Sequence, residues 1–149
     1  MPDDLHEFVF ELDLAIREQV LAKLDRSPLV PLRKDVGPPE SGVYALYWKG
    51  SLVYVGKASQ ATTKSKRTLR ARLNEHIAKI SGRSKISLEE MTCRYLTIKS
   101  DWFVWAAENA LITLFKPPWQ HSGFGSKVPG RGRPGTDRIS DWNRQFPAR

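Results

Sequence analysis

Glu108 stands in the run WFVWAAENALITLF, where its own helical face carries Val104, Trp105, Leu111, Ile112 and Phe115. A carboxylate among such neighbours is costly to desolvate unless a cation or strong donors meet it. It is therefore an ion-pair partner for an arginine, a metal ligand or acid facing a cleft, or a group at an exposed edge. Arg72 and His76 lie four apart in LRARLNEHIAKI, flanking an apolar stripe of Leu69, Leu73, Ile77 and Ile80. A guanidinium and an imidazole pointing the same way can clamp a phosphate at a sheet edge. A lone histidine there equally serves as a satisfied core residue. More polar groups crowd GVYALYWKGSLVYVGKA, with Tyr44, Tyr54 and Lys57 close together. Strand tyrosines commonly pack cores or cross-strand neighbours. No GxxxxGK run precedes Lys57, so the stretch is not a P-loop.

These residues need elements to hold them. Residues 5–25 place Phe8, Leu12, Ile16, Val20 and Leu24 four apart, which predicts an amphipathic helix with an acidic outer face, ended by Ser27-Pro28. A proline-bearing linker follows to residue 40. GVYALYW and LVYVG then read as the two strands of a hairpin turning at KGS. Tyr44, Leu46 and Trp48 share one face of it, and Val43, Ala45 and Tyr47 the other. Residues 59–68 read as a polar, basic loop before the LRARLNEHIAKI helix. MTCRYLTI alternates as a third strand, and Ser100-Asp101 starts a helix that Pro117-Pro118 stops. The tail from Gln120 is rich in glycine, proline and arginine, with a short helix expected near DRISDWNRQF. The order predicts a small α/β sandwich with a central mixed or antiparallel three-stranded sheet flanked by helices. Residues 1–40 form the N-terminal helix and linker, and residues 41–149 the main body with its tail.

Charge points to the partner. Residues 1–40 hold 5 Lys/Arg against 9 Asp/Glu, whereas residues 41–149 hold 19 against 7. The formal +8 of the 149-residue chain thus conceals a body near +12 behind an acidic opening. Such a field attracts a polyanion, and nucleic acid is the first candidate; solubility is the alternative. The single cysteine, Cys93, excludes an internal disulfide and a multi-cysteine zinc site. With no membrane-length apolar run and an acidic N-terminus unlike a secretory signal, a cytoplasmic protein without membrane association is expected.

GVY at 42–44 and YVG at 54–56 resemble the paired motifs of the GIY-YIG nuclease superfamily. The similarity continues through RARLNEH, the helix bearing Glu108, PPW at 117–119 and GFGSKVPGRGR at 123–133. With the closing SDWNRQFPAR, it looks most like the type II restriction-endonuclease branch. The resemblance implies hydrolysis of DNA phosphodiesters with one divalent metal per active site, leaving 5′-phosphate and 3′-hydroxyl ends. It implies that Tyr44 helps activate the attacking water, that Tyr54 lines the same cleft, and that Lys57 sits near the first tyrosine or the water. By the same likeness Arg72 holds the scissile phosphate, His76 contacts the tyrosine or substrate, and Glu108 is the sole protein carboxylate on the metal. Gln120 falls where relatives in this branch carry asparagine, a departure that implies a slowed or altered enzyme. The likeness further implies a homodimer on a short palindrome, with a G·C-rich site as the branch's tendency.

Elementary chemistry is compatible with these roles. No short acidic triplet occurs beyond the linker, so one metal held mostly by water and phosphate oxygens is more natural than a two-metal centre. Oxygen ligands favour Mg²⁺, with Mn²⁺ as substitute, over zinc. A tyrosine with an ordinary pKa near 10 costs about 4 kcal/mol to ionise at pH 7. A neighbouring ammonium such as Lys57, or a bound cation, would lower that cost. For DNA, Lys64, Lys66, Arg67 and Arg70 are expected to track backbone phosphate. Lys127, Arg131, Arg133 and Arg138 in the tail would reach a groove, where arginines can read guanine edges or simply attract phosphate. The N-terminal helix is expected to form part of a subunit contact or an arm around DNA. Rival readings are a structure-selective or repair nuclease, a non-catalytic DNA-binding protein of the same fold, and an RNA-binding structural domain.

Overall fold

The computed structural model describes residues 5–9, 11–59, 67–125 and 139–149. Its centre is the hairpin of β2 (Gly42–Trp48) and β3 (Ser51–Ala58). Lys49 and Gly50 turn the chain with φ of 52° and 83°, the paired left-handed conformation that suits the twist of a two-residue hairpin. β2 also pairs antiparallel with β4 (Met91–Thr97), and β4 pairs antiparallel with β1 (Val30–Pro31). The sheet order is β1-β4-β2-β3, so β3 is an edge strand. The three expected strands are present and every pairing is antiparallel. β1 is an addition, inside the segment read as linker.

Alternation along β2 divides the core in two. Tyr44 and Leu46 pack on one face with Tyr54, Leu69, Leu73, Trp119, Phe124, Trp142 and Phe146. Val43 and Ala45 pack on the other with Val55, Leu24, Val104, Ala107 and Leu111. The first face is covered by α2 (Leu69–Ser81) and by the C-terminal segment with α4 (Asp141–Gln145). The second is covered by α1 (Leu12–Arg26) and α3 (Asp101–Phe115). Burying each large apolar side chain contributes roughly 1.5–3 kcal/mol.

Local signals set the helix ends. Thr68 caps α2, its side chain accepting from the Ala71 amide at 3.1 Å. α3 stops where Lys116 turns left-handed, φ 45°, before Pro117. α1 begins at Leu12, not at residue 5 as the spacing predicted. Phe8 is 83% exposed, and without apolar burial a first turn has little to offset its nucleation cost. The rest of the predicted stripe holds: Leu24 is buried, and Ile16 and Val20 pack against the second core. The inner face of α1 is thus already covered within the chain. Among the described residues no helix is long and apolar enough to cross a membrane.

Candidate active site

Tyr44 lies opposite Gly56 across the β2–β3 ladder. Its phenol runs sideways over that glycine: a Cβ at position 56 would stand 2.2 Å from Tyr44 Oη. A glycine inside a strand commonly marks such a close approach. The hydroxyl ends 2.6 Å from His76 Nε2, on the buried side of α2. His76 is itself stacked on Phe124, with ring centroids 4.6 Å apart and planes 14° from parallel. Tyr54 meets Tyr44, His76 and Phe124 in tilted or edge-on contacts. Lys79 fixes the Phe124 backbone by donating to the carbonyls of Gly123 and Phe124 at 2.6 and 2.7 Å.

Arg72, one turn before His76, is buried, and its Nη1 donates to Glu75 Oε2 at 2.5 Å. Both phenols also feel its charge. Burial pushes the Tyr44 hydroxyl far above the ordinary tyrosine range; Tyr54 adds to the shift and Arg72 opposes it. Tyr54 is raised mainly by burial too. His76 is held well below the usual imidazole value by burial first, then by Arg72 and Lys79. The phenol therefore keeps its proton, and the imidazole stays neutral.

The carboxylate comes from the other face of the sheet. Glu108 on α3 is partly buried and faces Lys57 of β3, Nζ to Oε1 3.9 Å. Burial raises its pKa above the ordinary carboxylate value, with Lys57 and Arg72 offsetting only part. Glu108 and Arg72 interact electrostatically, as do Glu108 and both tyrosines. The two halves therefore converge across the β3 edge. Lys57 accompanies the carboxylate, not Tyr44, whose stabilising cation is Arg72.

Gln120 occupies the outer edge of β3. Its Nε2 donates to the Val55 carbonyl at 2.9 Å, and its Oε1 accepts from the Val55 amide at 3.1 Å. The Trp119 amide donates to the Val53 carbonyl at 2.9 Å. Residues 119–120 thus cover the exposed edge of the strand that carries Tyr54, Gly56 and Lys57.

Of the expected phosphate-tracking residues, Arg70 is exposed with its Nε on the Gly37 carbonyl, and Arg67 lies 4.0 Å from Glu75 Oε2. Lys64, Lys66, Lys127, Arg131, Arg133 and Arg138 lie outside the described residues. Sequence reasoning overlooked Gly56, Phe124 and the tie between Ser59 Oγ and Asp101 Oδ1, 2.8 Å, which fastens the start of α3 to the end of β3. The strand glycine was a readable signal; the other two depend on contacts far apart in the chain.

Among the described residues no three His, Cys, Asp or Glu side chains group as a metal cluster. The candidate donor set is one carboxylate with too little positive charge around it. That suits a hard, oxygen-preferring cation whose other ligands are water and substrate oxygens.

The low affinity of His76 for a proton carries a stability prediction. Below about pH 6.5 the unfolded chain takes up a proton that the native protein resists, so this residue's contribution falls as pH drops through that range. Urea unfolding at pH 7 and pH 5 is expected to show a lower midpoint at pH 5, and His76→Gln is expected to narrow the difference. An unchanged difference would mean that His76 protonates freely in the fold.

Residues 51–149 match the family model described as the Eco29kI GIY-YIG domain. Solved structures that resemble the chain include the GIY-YIG N-terminal endonuclease domain of UvrC from Thermotoga maritima bound to magnesium. That domain is 22% identical, with 74% of this chain and 98% of that one covered and a TM-score of 0.42. Two point mutants of the same domain, each bound to its catalytic divalent cation, are also 22% identical, with TM-scores of 0.43 and 0.42 and 97% of their chains covered against 74% of this one. No curated protein matches the chain.

Proposed function

Because the chain belongs to the GIY-YIG nuclease superfamily, through the family of the Eco29kI GIY-YIG domain, we propose that it is a type II restriction endonuclease, cutting double-stranded DNA at a specific sequence. The observation that carries the nuclease reading is the meeting, across one sheet edge, of an under-neutralised carboxylate, a buried guanidinium and a phenol–imidazole pair. The restriction-enzyme name of the matching model supports the finer assignment.

Glu108 would hold one Mg²⁺, or Mn²⁺ in its place, which supplies positive charge to the phosphoryl oxygens as negative charge grows there. Arg72 meets the same developing charge from the α2 side. With the His76 proton on Nδ1, Tyr44 would donate to Nε2 and turn its oxygen lone pairs to the attacking water. As that water attacks phosphorus and loses a proton, the phenol can receive it while passing its own to the neutral imidazole. The bond to the 3′ oxygen breaks and that oxygen takes a proton from solvent, leaving 3′-hydroxyl and 5′-phosphate ends. Lys57 holds the Glu108 carboxylate in place, and Tyr54 packs the pair. A palindromic site, G·C-rich by the tendency of this branch, requires two copies of such a centre, hence a homodimer on DNA.

Gln120 acts in this scheme as a positioning residue. Gln120→Asn shortens the side chain by one methylene and leaves one polar atom of Val55 without its partner, a loss of about 1–3 kcal/mol. We expect a lower melting temperature and roughly tenfold slower single-turnover cleavage. Unchanged values in both measurements would remove the residue from the mechanism.

The second reading is a structure-selective or repair nuclease, favoured by the half-exposed indoles of Trp102 and Trp105. Digestion of unmethylated phage or plasmid DNA with Mg²⁺, followed by sequencing of fragment ends, tests both. Discrete fragments with one shared end sequence support the restriction reading. Cleavage confined to flaps, forks or nicks supports the second. Tight binding with no Mg²⁺- or Mn²⁺-dependent cleavage would overturn both in favour of a non-catalytic DNA-binding protein.

A further inference from the structure

Trp102, Phe103 and Trp105 are exposed by 53%, 55% and 52% at the start of α3. A single half-exposed aromatic needs no explanation, but three within four residues form a patch. The fold does not need them, because α3 meets the sheet through Val104, Ala107 and Leu111. At about 100° per residue, Asp101 and Glu108 lie within about 20° of each other around the helix, on the flank that faces β3. Trp105 lies about 60° outward from Glu108, between it and Asp101 along the axis, and Trp102 continues outward by about as much again. Phe103 lies further round, its ring edge-on to Trp102 with centroids 5.3 Å apart. Trp105 thus extends the Glu108 flank of α3 toward solvent, beside the tie from Ser59 to Asp101.

The occupant must suit both an indole face and the cleft's charge. The body from residue 41 onward carries 19 Lys/Arg against 7 Asp/Glu, so the protein as a whole draws a polyanion, and one with flat aromatic parts suits an exposed indole. Trp105 stands about 4.5 Å of helix rise from Glu108. On the nuclease reading, a base beside the scissile phosphate passes this flank of α3, within one helical turn of Glu108.

We propose that Trp105 is a stacking platform for a nucleobase that leaves the helical stack beside the scissile phosphate. The proposal rests on the nuclease reading and adds to it a place for the neighbouring base. A stack on an aromatic side chain is tolerant of base identity and indifferent to salt, unlike a phosphate contact.

The test compares the full-length protein with its Trp105→Ala and Trp105→Phe variants by anisotropy titration in EDTA at several salt concentrations. The DNA is a fluorescent duplex and the same duplex with one unpaired thymidine at its centre. The parent is expected to bind the bulged duplex more tightly. Trp105→Ala is expected to lose about 10- to 100-fold on the bulged duplex and under about threefold on the paired one, with an unchanged salt slope. Trp105→Phe should keep most of the affinity, which separates lost stacking from a damaged fold. Equal losses on both duplexes, or no loss, would overturn the platform. So would conversion of a parental dimer to monomer by Trp105→Ala in sedimentation, which would assign the patch to a second copy of the chain. A parent that binds neither duplex would overturn the nuclease reading itself.

Discussion

Replacing Glu108 by glutamine is expected to reduce DNA cleavage by roughly 10³-fold or more, about 4 kcal/mol of transition-state stabilisation, while the protein melts at a higher temperature. The two effects have one cause. Burial raises the carboxyl's pKa, and Lys57 and Arg72 offset only part of the cost of its charge. The native protein therefore binds this proton more tightly than the unfolded chain, and stability falls as pH rises from the ordinary carboxylate value of 4.5 through the raised one. At neutral pH the charged carboxylate is a burden on the fold, which glutamine removes. Below about pH 4.5 both states are protonated, and the advantage of the variant disappears. Activity assays with Mg²⁺ and thermal melts at pH 7 and pH 4 check both halves. Lost activity together with a lower melting temperature at pH 7 would reveal a structural ion pair with Lys57. Retained cleavage would remove Glu108 from the chemistry altogether.

Gly56→Ala is expected to have the second-largest effect. The new methyl would lie 2.2 Å from Tyr44 Oη and 2.3 Å from Cζ. The ring is enclosed by Tyr54 and His76, so it cannot swing aside without breaking its 2.6 Å contact with His76. Overpacking of this kind costs about 1–3 kcal/mol, and a displacement near 1 Å at a reacting group costs roughly 100-fold in rate. Urea denaturation and single-turnover cleavage should therefore both fall short of the parent. Full activity in Gly56→Ala would show that the site does not depend on this placement of the phenol.

The parts of the fold legible in the sequence were those with a strong period. The alternation of GVYALYW assigned Tyr44 and Val43 to opposite faces, and the two cores follow that division. α2 was legible because Leu69, Leu73 and Ile80 mark its buried stripe, with Arg72 and His76 on the flank. β1 was not, since two residues carry no period and only the pairing of Val30 with Cys93 makes a strand of them. The start of α1 was misplaced because spacing alone cannot report how exposed Phe8 is.

Gly56 and Phe124 were overlooked, and the partners of the expected residues were only partly legible. Lys57 lies beyond Val55 on the α3 side of the sheet, which alternation along β3 could have indicated, and there it meets Glu108. Tyr44 and His76 are 32 residues apart, and nothing local in either segment encodes their contact. Gln120 reads as a substituted site residue, whereas its hydrogen bonds run to the backbone of an edge strand 65 residues earlier. Side-chain pairing to a distant main chain leaves no pattern in composition or spacing.

The site's division between two hydrophobic bodies shapes how this protein can diversify. The phenol, imidazole and guanidinium are rooted in one body, and the carboxylate in the other. On the proposed roles, substitutions beneath α2 would retune the grip on phosphate while the cation's anchor stays as it is, and changes beneath α3 would do the reverse. The β2–β3 hairpin contributes to both, so innovation in either half is free to proceed only while that hairpin holds its line.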